Sequence, residues 1–263
     1  MKKLLSSAVL LLLFAVLCGD EVNLLKNGDF SRYKVNWVTN GTVTEEGKTG
    51  VLTLSGKNNR AFSRQVIDCT DADTFVISGE ISADKAVQVL IGLVPVDKDW
   101  KEINFRNTGV VAGTFTALSK ATAKNSNTVI LPENRKITKN AYLAFGAKED
   151  NSDLPNFQLE RIKSVSHANG TTVVKLVKPV RKHIPAGTAV RCHVDGPTYI
   201  YCVSLRKGLP GKVKVSGKVG KNAKLKFRSG STGFKICLLA VFGKNTQDAK
   251  VEFRNLKVVK SAK

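Results

Sequence analysis

The sequence is poor in the side chains that carry out reactions. Its three histidines, His167, His183 and His193, lie far apart, and none stands in the H-E-x-x-H or H-x-x-E-H spacing that sets two imidazoles on one metal. It contains no G-x-S-x-G elbow and no glycine-rich phosphate loop. Acidic residues are half as many as basic ones, 21 against 42. The clustered acids, Glu45-Glu46 and Glu149-Asp150 with Asp153, read as solvated turns, and nothing sets two carboxylates across a cleft as glycoside hydrolysis requires. These shortages predict a protein with no catalytic residue, no metal site and no cofactor. Aromatic residues are 7% of the chain. Base stacking on nucleic acid needs aromatics interleaved with cations, so nucleic acid is not an expected partner. No window shows a sustained helical period, which argues against helical folds and against a helix lying on a membrane surface.

One long apolar run is present, and it comes first. Lys2 and Lys3 precede Leu4 to Leu17, so residues 1–19 read as an export signal with cleavage near Cys18 or Gly19. A lipid anchor on Cys18 is the lesser alternative, because Leu17 is bulky where that processing needs a small residue. No later segment is apolar enough over enough residues to span a bilayer as a helix. The remaining chain is therefore expected outside the cytosol: secreted, periplasmic or at the cell surface. In that compartment Cys192 and Cys202, flanking the turn Asp195-Gly196-Pro197-Thr198, form a candidate disulfide across paired strands. Cys69 and Cys237 have no local partner and read as buried thiols.

What the sequence has in plenty is strand. Runs such as GVLTLSG, TFVISGEI, AVQVLIGLVPV, TTVVKLV, TYIYCVSL, FKICLLAVFG and KVEFRNLKVV alternate or cluster β-branched residues between turn residues. Many short strands at this spacing predict an all-β sandwich or barrel. Positive charge is the other surplus, and it is uneven. Residues 20–100 carry nine Lys+Arg against twelve Asp+Glu, residues 101–205 fifteen against seven, and residues 206–263 sixteen against two. Lys212, Lys214 and Lys218 alternate with valines, and Lys224, Lys226 and Arg228 with Leu225 and Phe227. On a strand each run is a cationic comb with ~7 Å spacing over an apolar underside. The bland account of a comb is a solvated sheet face; the sharper one is contact with a polyanion.

The stretch NLLKNGDFS followed by Trp37 resembles the opening strand of the galactose-binding-like jelly rolls among carbohydrate-binding modules, notably families four, nine and twenty-two. The closing strand VEFRNLKVV, residues 251–259, is similar to their last strand, and TFVISGEISAD to one between. The resemblance implies a jelly-roll β-sandwich interrupted by an insertion: residues 20–100 plus 206–263 build the sandwich, and residues 101–205 a small inserted β subdomain. Where many such modules hold a structural calcium, this chain has Ser31 and Arg254-Asn255, and Arg254 is hostile to it.

The same resemblance implies a protein that binds an extracellular polysaccharide, and the cationic combs point to an acidic or sulfated one. Trp37 matches a wall position of the sandwich more than a platform. Trp100, in the turn-rich stretch Asp97-Lys98-Asp99, is either an exposed platform for a sugar ring or a cover over the seam with the insertion. Tyr199 and Tyr201 share one strand face, where a tyrosine can stack. The expected binding residues are Trp100, Tyr201, Lys212, Lys214, Lys218, Lys224, Lys226 and Arg228. The alternative is a structural or adhesive surface protein whose basic face tethers it to an anionic envelope.

Overall fold

The computed structural model describes residues 22–84, 86, 88–206, 211–243 and 248–261. The expected export signal and Cys18 lie outside these residues. The chain opens with β1 (Trp37–Thr39), β2 (Thr42–Glu46), β3 (Thr49–Ser55), β4 (Arg60–Ser63), β5 (Ile67–Asp68), β6 (Thr74–Asp84) and β7 (Gln88–Val96). After a 3-10 turn at Phe105–Asn107 come β8 (Thr116–Ala117), β9 (Thr128–Pro132), β10 (Tyr142–Phe145), β11 (Leu159–Ala168), β12 (Thr171–Leu176) and β13 (Ala189–His193). The last four are β14 (Ile200–Arg206), β15 (Lys212–Gly220), β16 (Gly233–Val241) and β17 (Lys250–Lys260). The protein is all-β.

The strands pair antiparallel in three sheets. One runs β1-β4-β16-β7-β14 with β5 beside β16, and a second runs β15-β6-β17-β3-β2. These two form a sandwich over one core that includes Phe30, Leu52, Ile77, Ile81, Ile91, Phe234, Phe253 and Val258. Period-two alternation explains the second sheet: β6 buries Phe75, Ile77 and Ile81 inward and turns Val76, Ser78 and Glu80 outward. β7 is covered on both faces and so reads as an unbroken apolar run.

The third sheet, β8-β13-β10-β11-β12-β9, has its own core of Val129, Leu131, Leu143, Ile162, Val174 and Val190. It curls until its edges meet, where the Ser119 N–H donates to Ile130 O. Meeting edges leave fewer unpaired backbone groups at either end of the sheet.

The first described residues and the last strand are sewn together. The Leu24 N–H donates to Val258 O, the Asn23 amide donates to Leu256 O, and its carbonyl oxygen accepts from Val258 N. A bulge in β17, with Asn255 at φ 49°, lets Leu256 turn into the core while its N–H donates to Gly28 O. A Cβ on Gly28 would run into the Leu256 carbonyl. Trp37 is 3% exposed, its ring 5.3 Å from that of Phe30, and its indole N–H donates to Asn27 O. It is a wall of the core and offers no face to a ligand.

The third sheet occupies the place of a hairpin turn. β7 ends at Val96, and β14, which begins at Ile200, pairs with it antiparallel through Leu93. The intervening segment thus leaves and returns at adjacent points, so it can be accommodated without disturbing the ladder. This corrects the expected boundary: Ile200–Arg206 belongs to the sandwich, because its hydrogen bonds run to β7.

The Cys192–Cys202 disulfide is corrected for the same reason. The stretch Asp195–Thr198 is a crossover between two sheets and not a hairpin. Cys192 pairs with Leu143 in the third sheet, whereas Cys202 is the bulged residue of β14, and both thiols are free. Burial pushes each thiol up to about 12, so both are inert at neutral pH.

A buried polar cluster braces the third sheet against its own connecting segments. The Arg191 guanidinium pairs with Asp153 at 2.9 Å and also donates to Asn151 and Lys148 O. Its Nε donates to His193 Nε2 at 3.2 Å, while His193 Nδ1 meets Arg106 O at 2.7 Å. This pattern requires a neutral imidazole with its proton on Nδ1. Burial lowers the His193 pKa below its ordinary 6.5, and the Arg191 charge lowers it further. The unfolded chain therefore binds a proton that the folded chain refuses. The stabilisation is complete above about pH 6.5 and drains away as pH falls below it, at up to ~1.4 kcal/mol per pH unit.

Two outcomes are expected. Urea unfolding of the parent chain should lose stability from pH 7 to pH 5, and His193→Gln, neutral throughout, should flatten that slope. Gly28→Ala should lower stability by about 2 kcal/mol or more, because a packed carbonyl cannot retreat.

Candidate functional site

The residues expected to bind ligand separate into three places. The most closely built lies where the third sheet joins the sandwich, and Arg228 holds it together. Arg228 is 9% exposed, and its guanidinium donates to the backbone carbonyls of Ile103, Pro197 and Thr198. Ile103 is on the segment leaving the sandwich, and Pro197-Thr198 on the one returning. Burial depresses its pKa to about 10, which leaves it charged at neutral pH. Its expected role as an anion contact is corrected, since every acceptor it meets is a backbone carbonyl of its own chain.

Beside this junction runs a groove of about 470 Å³. Phe105, Tyr199, Tyr201 and Phe227 supply aromatic wall, and Lys226 and Arg228 also line it. Each ring is positioned. Phe105 lies against Gly109 and Gly196, whose missing side chains leave room for it. Tyr199 and Tyr201 meet edge to face at 6.2 Å, and Tyr201 packs over Gly92, where a Cβ would lie 3.1 Å from its ring. Phe227 stacks on the core residue Phe234 at 5.6 Å. Burial raises both tyrosine pKa values, so the phenols remain donors at neutral pH. Lys226 is exposed and folds its ammonium back to Lys221 O. Lys224 is exposed on the same loop, which is extended but meets β15 only through the Val219–Leu225 bridge. The second comb is thus a loop and not a strand.

The first comb is real and stands elsewhere. Lys212, Lys214 and Lys218 point outward from β15, an edge strand whose valines Val213 and Val215 rest on the core. Lys212 lies 3.9 Å from Glu80. Lys214 lines a polar groove of about 600 Å³ with Glu80, Asp29 and Lys257, below the Asn27-Gly28-Asp29 turn. On the same sheet face Arg254 pairs with Glu46 at 2.6 Å and Glu252 at 2.8 Å. Among the described residues, no three His, Cys, Asp or Glu side chains gather as a metal site.

Trp100 occupies the third place. It is 65% exposed at φ 63°, in a turn where Asp97 accepts from the N–H groups of Asp99, Trp100 and Lys101. A left-handed backbone at a bulky residue is strained and persists only where its surroundings enforce it. The indole does not line the aromatic groove. Of the residues expected from the sequence, Tyr201, Lys226 and Arg228 line this groove, while Phe105 and Phe227 were not among them. Phe105 sits in an irregular loop with no periodicity to announce it.

No protein-family profile matches the chain, and no curated protein matches it. Among solved structures, the carbohydrate recognition domain of Emp47p in a monoclinic crystal form is similar at 12% identity, covering 93% of this chain and all of that one, with a TM-score of 0.38. Likeness at that level carries no argument about fold or ligand. No helix among the described residues is long and apolar enough to cross a membrane.

Arg228→Met keeps the apolar stem but strands the buried Ile103 carbonyl and the half-buried ones of Pro197 and Thr198. It should cost about 3–5 kcal/mol in urea unfolding, with Arg228→Lys recovering only part, since an ammonium cannot serve three acceptors in the guanidinium plane.

Proposed function

We propose that this is an exported, non-catalytic carbohydrate-binding protein that holds an acidic polysaccharide in the aromatic groove of the junction. The observation that carries the reading is the coincidence of four fixed aromatic rings with an exposed lysine at one groove. A pyranose offers an apolar face to a ring and hydroxyls to phenols, and Tyr201 supplies both kinds of contact. Lys226 and Lys224 stand where carboxylates or sulfates of the sugar would be met as point charges. Walls already fixed by glycines and by Phe234 lower the entropic cost of closing on a ligand. The galactose-binding-like architecture, with the segment between β7 and β14 as an inserted unit, belongs to the same proposal. So do export by residues 1–19 and an auxiliary stacking role for Trp100.

The second reading is an adhesive or envelope-tethered protein. The outward lysines of β15 favour it, because they stand apart from the aromatic groove and need no ring partner. Retention on acidic polysaccharide gels separates the two. Under the first reading Tyr201→Ala lowers affinity about 10- to 100-fold with the fold intact, and Lys226→Gln lowers it less while flattening the salt dependence. If Tyr201→Ala and Trp100→Ala bind as the parent does, and only Lys212→Gln/Lys214→Gln/Lys218→Gln weakens retention, the tethering reading replaces it.

A further inference from the structure

The third sheet carries a groove of its own, of about 790 Å³, which the combs and tryptophans do not touch. Phe145 and Phe157 line it together with the consecutive Arg181, Lys182 and His183. The chain builds this basic triplet deliberately. Val180 and Ile184 are buried at 3% and 5% in the core of the third sheet, leaving the three residues between them exposed. Both anchors are tied by backbone pairs: Ile184 exchanges two hydrogen bonds with Thr122, and the Val180 carbonyl accepts from Asn125 while its N–H donates to Ser126 O. The triplet is therefore a fixed projection between two pins, unlike a floppy basic loop. Phe145 N donates to Gln158 O, which sets Phe157 at the groove. Phe157 remains 37% exposed, and the Lys101 ammonium stands 4.5 Å from its ring centroid. Neither Arg181 nor Lys182 is in an ion pair among the described residues, and Glu160 is the one acid in the lining.

We infer that this groove is a second binding site, for an acidic sugar unit whose apolar face lies on Phe157 and whose carboxylate or sulfate meets Arg181 and Lys182. The inference rests on the polysaccharide reading above and extends it: two sites on one chain would let a single polymer engage both, raising avidity without new contacts. An arginine beside a lysine suits a planar carboxylate, which the guanidinium can grip through two N–H groups.

Calorimetric titration of the full chain with a glucuronate-containing tetrasaccharide tests it. Two equivalents are expected for the parent, one for Arg181→Gln/Lys182→Gln and one for Tyr201→Ala. Phe157→Ala should weaken the second equivalent at least tenfold. A single equivalent that is lost in Tyr201→Ala and kept in Arg181→Gln/Lys182→Gln overturns the second site and leaves the first. A single equivalent with the opposite dependence upholds the second site and overturns the first. Sensitivity to Arg181→Gln/Lys182→Gln with none to Phe157→Ala reduces the groove to diffuse charge attraction and overturns the inference, as does no binding at all.

Discussion

One buried guanidinium organises the face on which the proposed chemistry rests. Arg228 reaches from the loop after β15 to carbonyls on both stems of the third sheet, so three chain segments meet on a single planar donor set. A lysine would offer a mobile point charge, and an apolar side chain would leave the buried Ile103 carbonyl unpaired. With the guanidinium in place, the loop bearing Lys224 and Lys226 is held against Phe105, Tyr199 and Tyr201. The positive charge that might have met a ligand serves instead to fix the residues around it.

The rest of the architecture explains why such a joint is needed. A second core hung from the position of a hairpin turn is joined covalently to the sandwich by two stretches of backbone, and its Leu154-Pro155 loop also lies against Gly230. Arg228 ties the sandwich side to both stems, and within the inserted segment His193 accepts from Arg191 while it meets Arg106 O next to Phe105. Burial keeps His193 neutral, whereas Arg228 stays charged in spite of its burial. The groove between the two bodies is thus bounded by residues whose placement answers to electrostatics as much as to packing.

The cationic surplus divides between these roles and open solvent. Lys212, Lys214 and Lys218 are exposed on an edge strand, where charge also discourages another chain from pairing with it. Arg254 and Arg191 are consumed in pairs with Glu46, Glu252 and Asp153. A net count of charge could not distinguish a free ammonium from a guanidinium already bonded on all sides.

Period-two alternation in TFVISGEISAD and the outward lysines of KVKVSGK specified β6 and β15, because side-chain direction along a strand is a local property. The wall position of Trp37 was implied by the resemblance of the opening stretch, and in the fold its ring meets Phe30 and its indole N–H donates to Asn27 O. The fate of Arg228, Cys192 and Cys202 was not local. Arg228 looked like the last tooth of a comb until distant carbonyls from Ile103, Pro197 and Thr198 converged on it. The two cysteines looked like partners until the chain between them proved to cross from one sheet to another. Local sequence sets which residues face inward or outward on a strand; which buried groups meet is decided only when segments a hundred residues apart are packed together and every polar atom must find a partner.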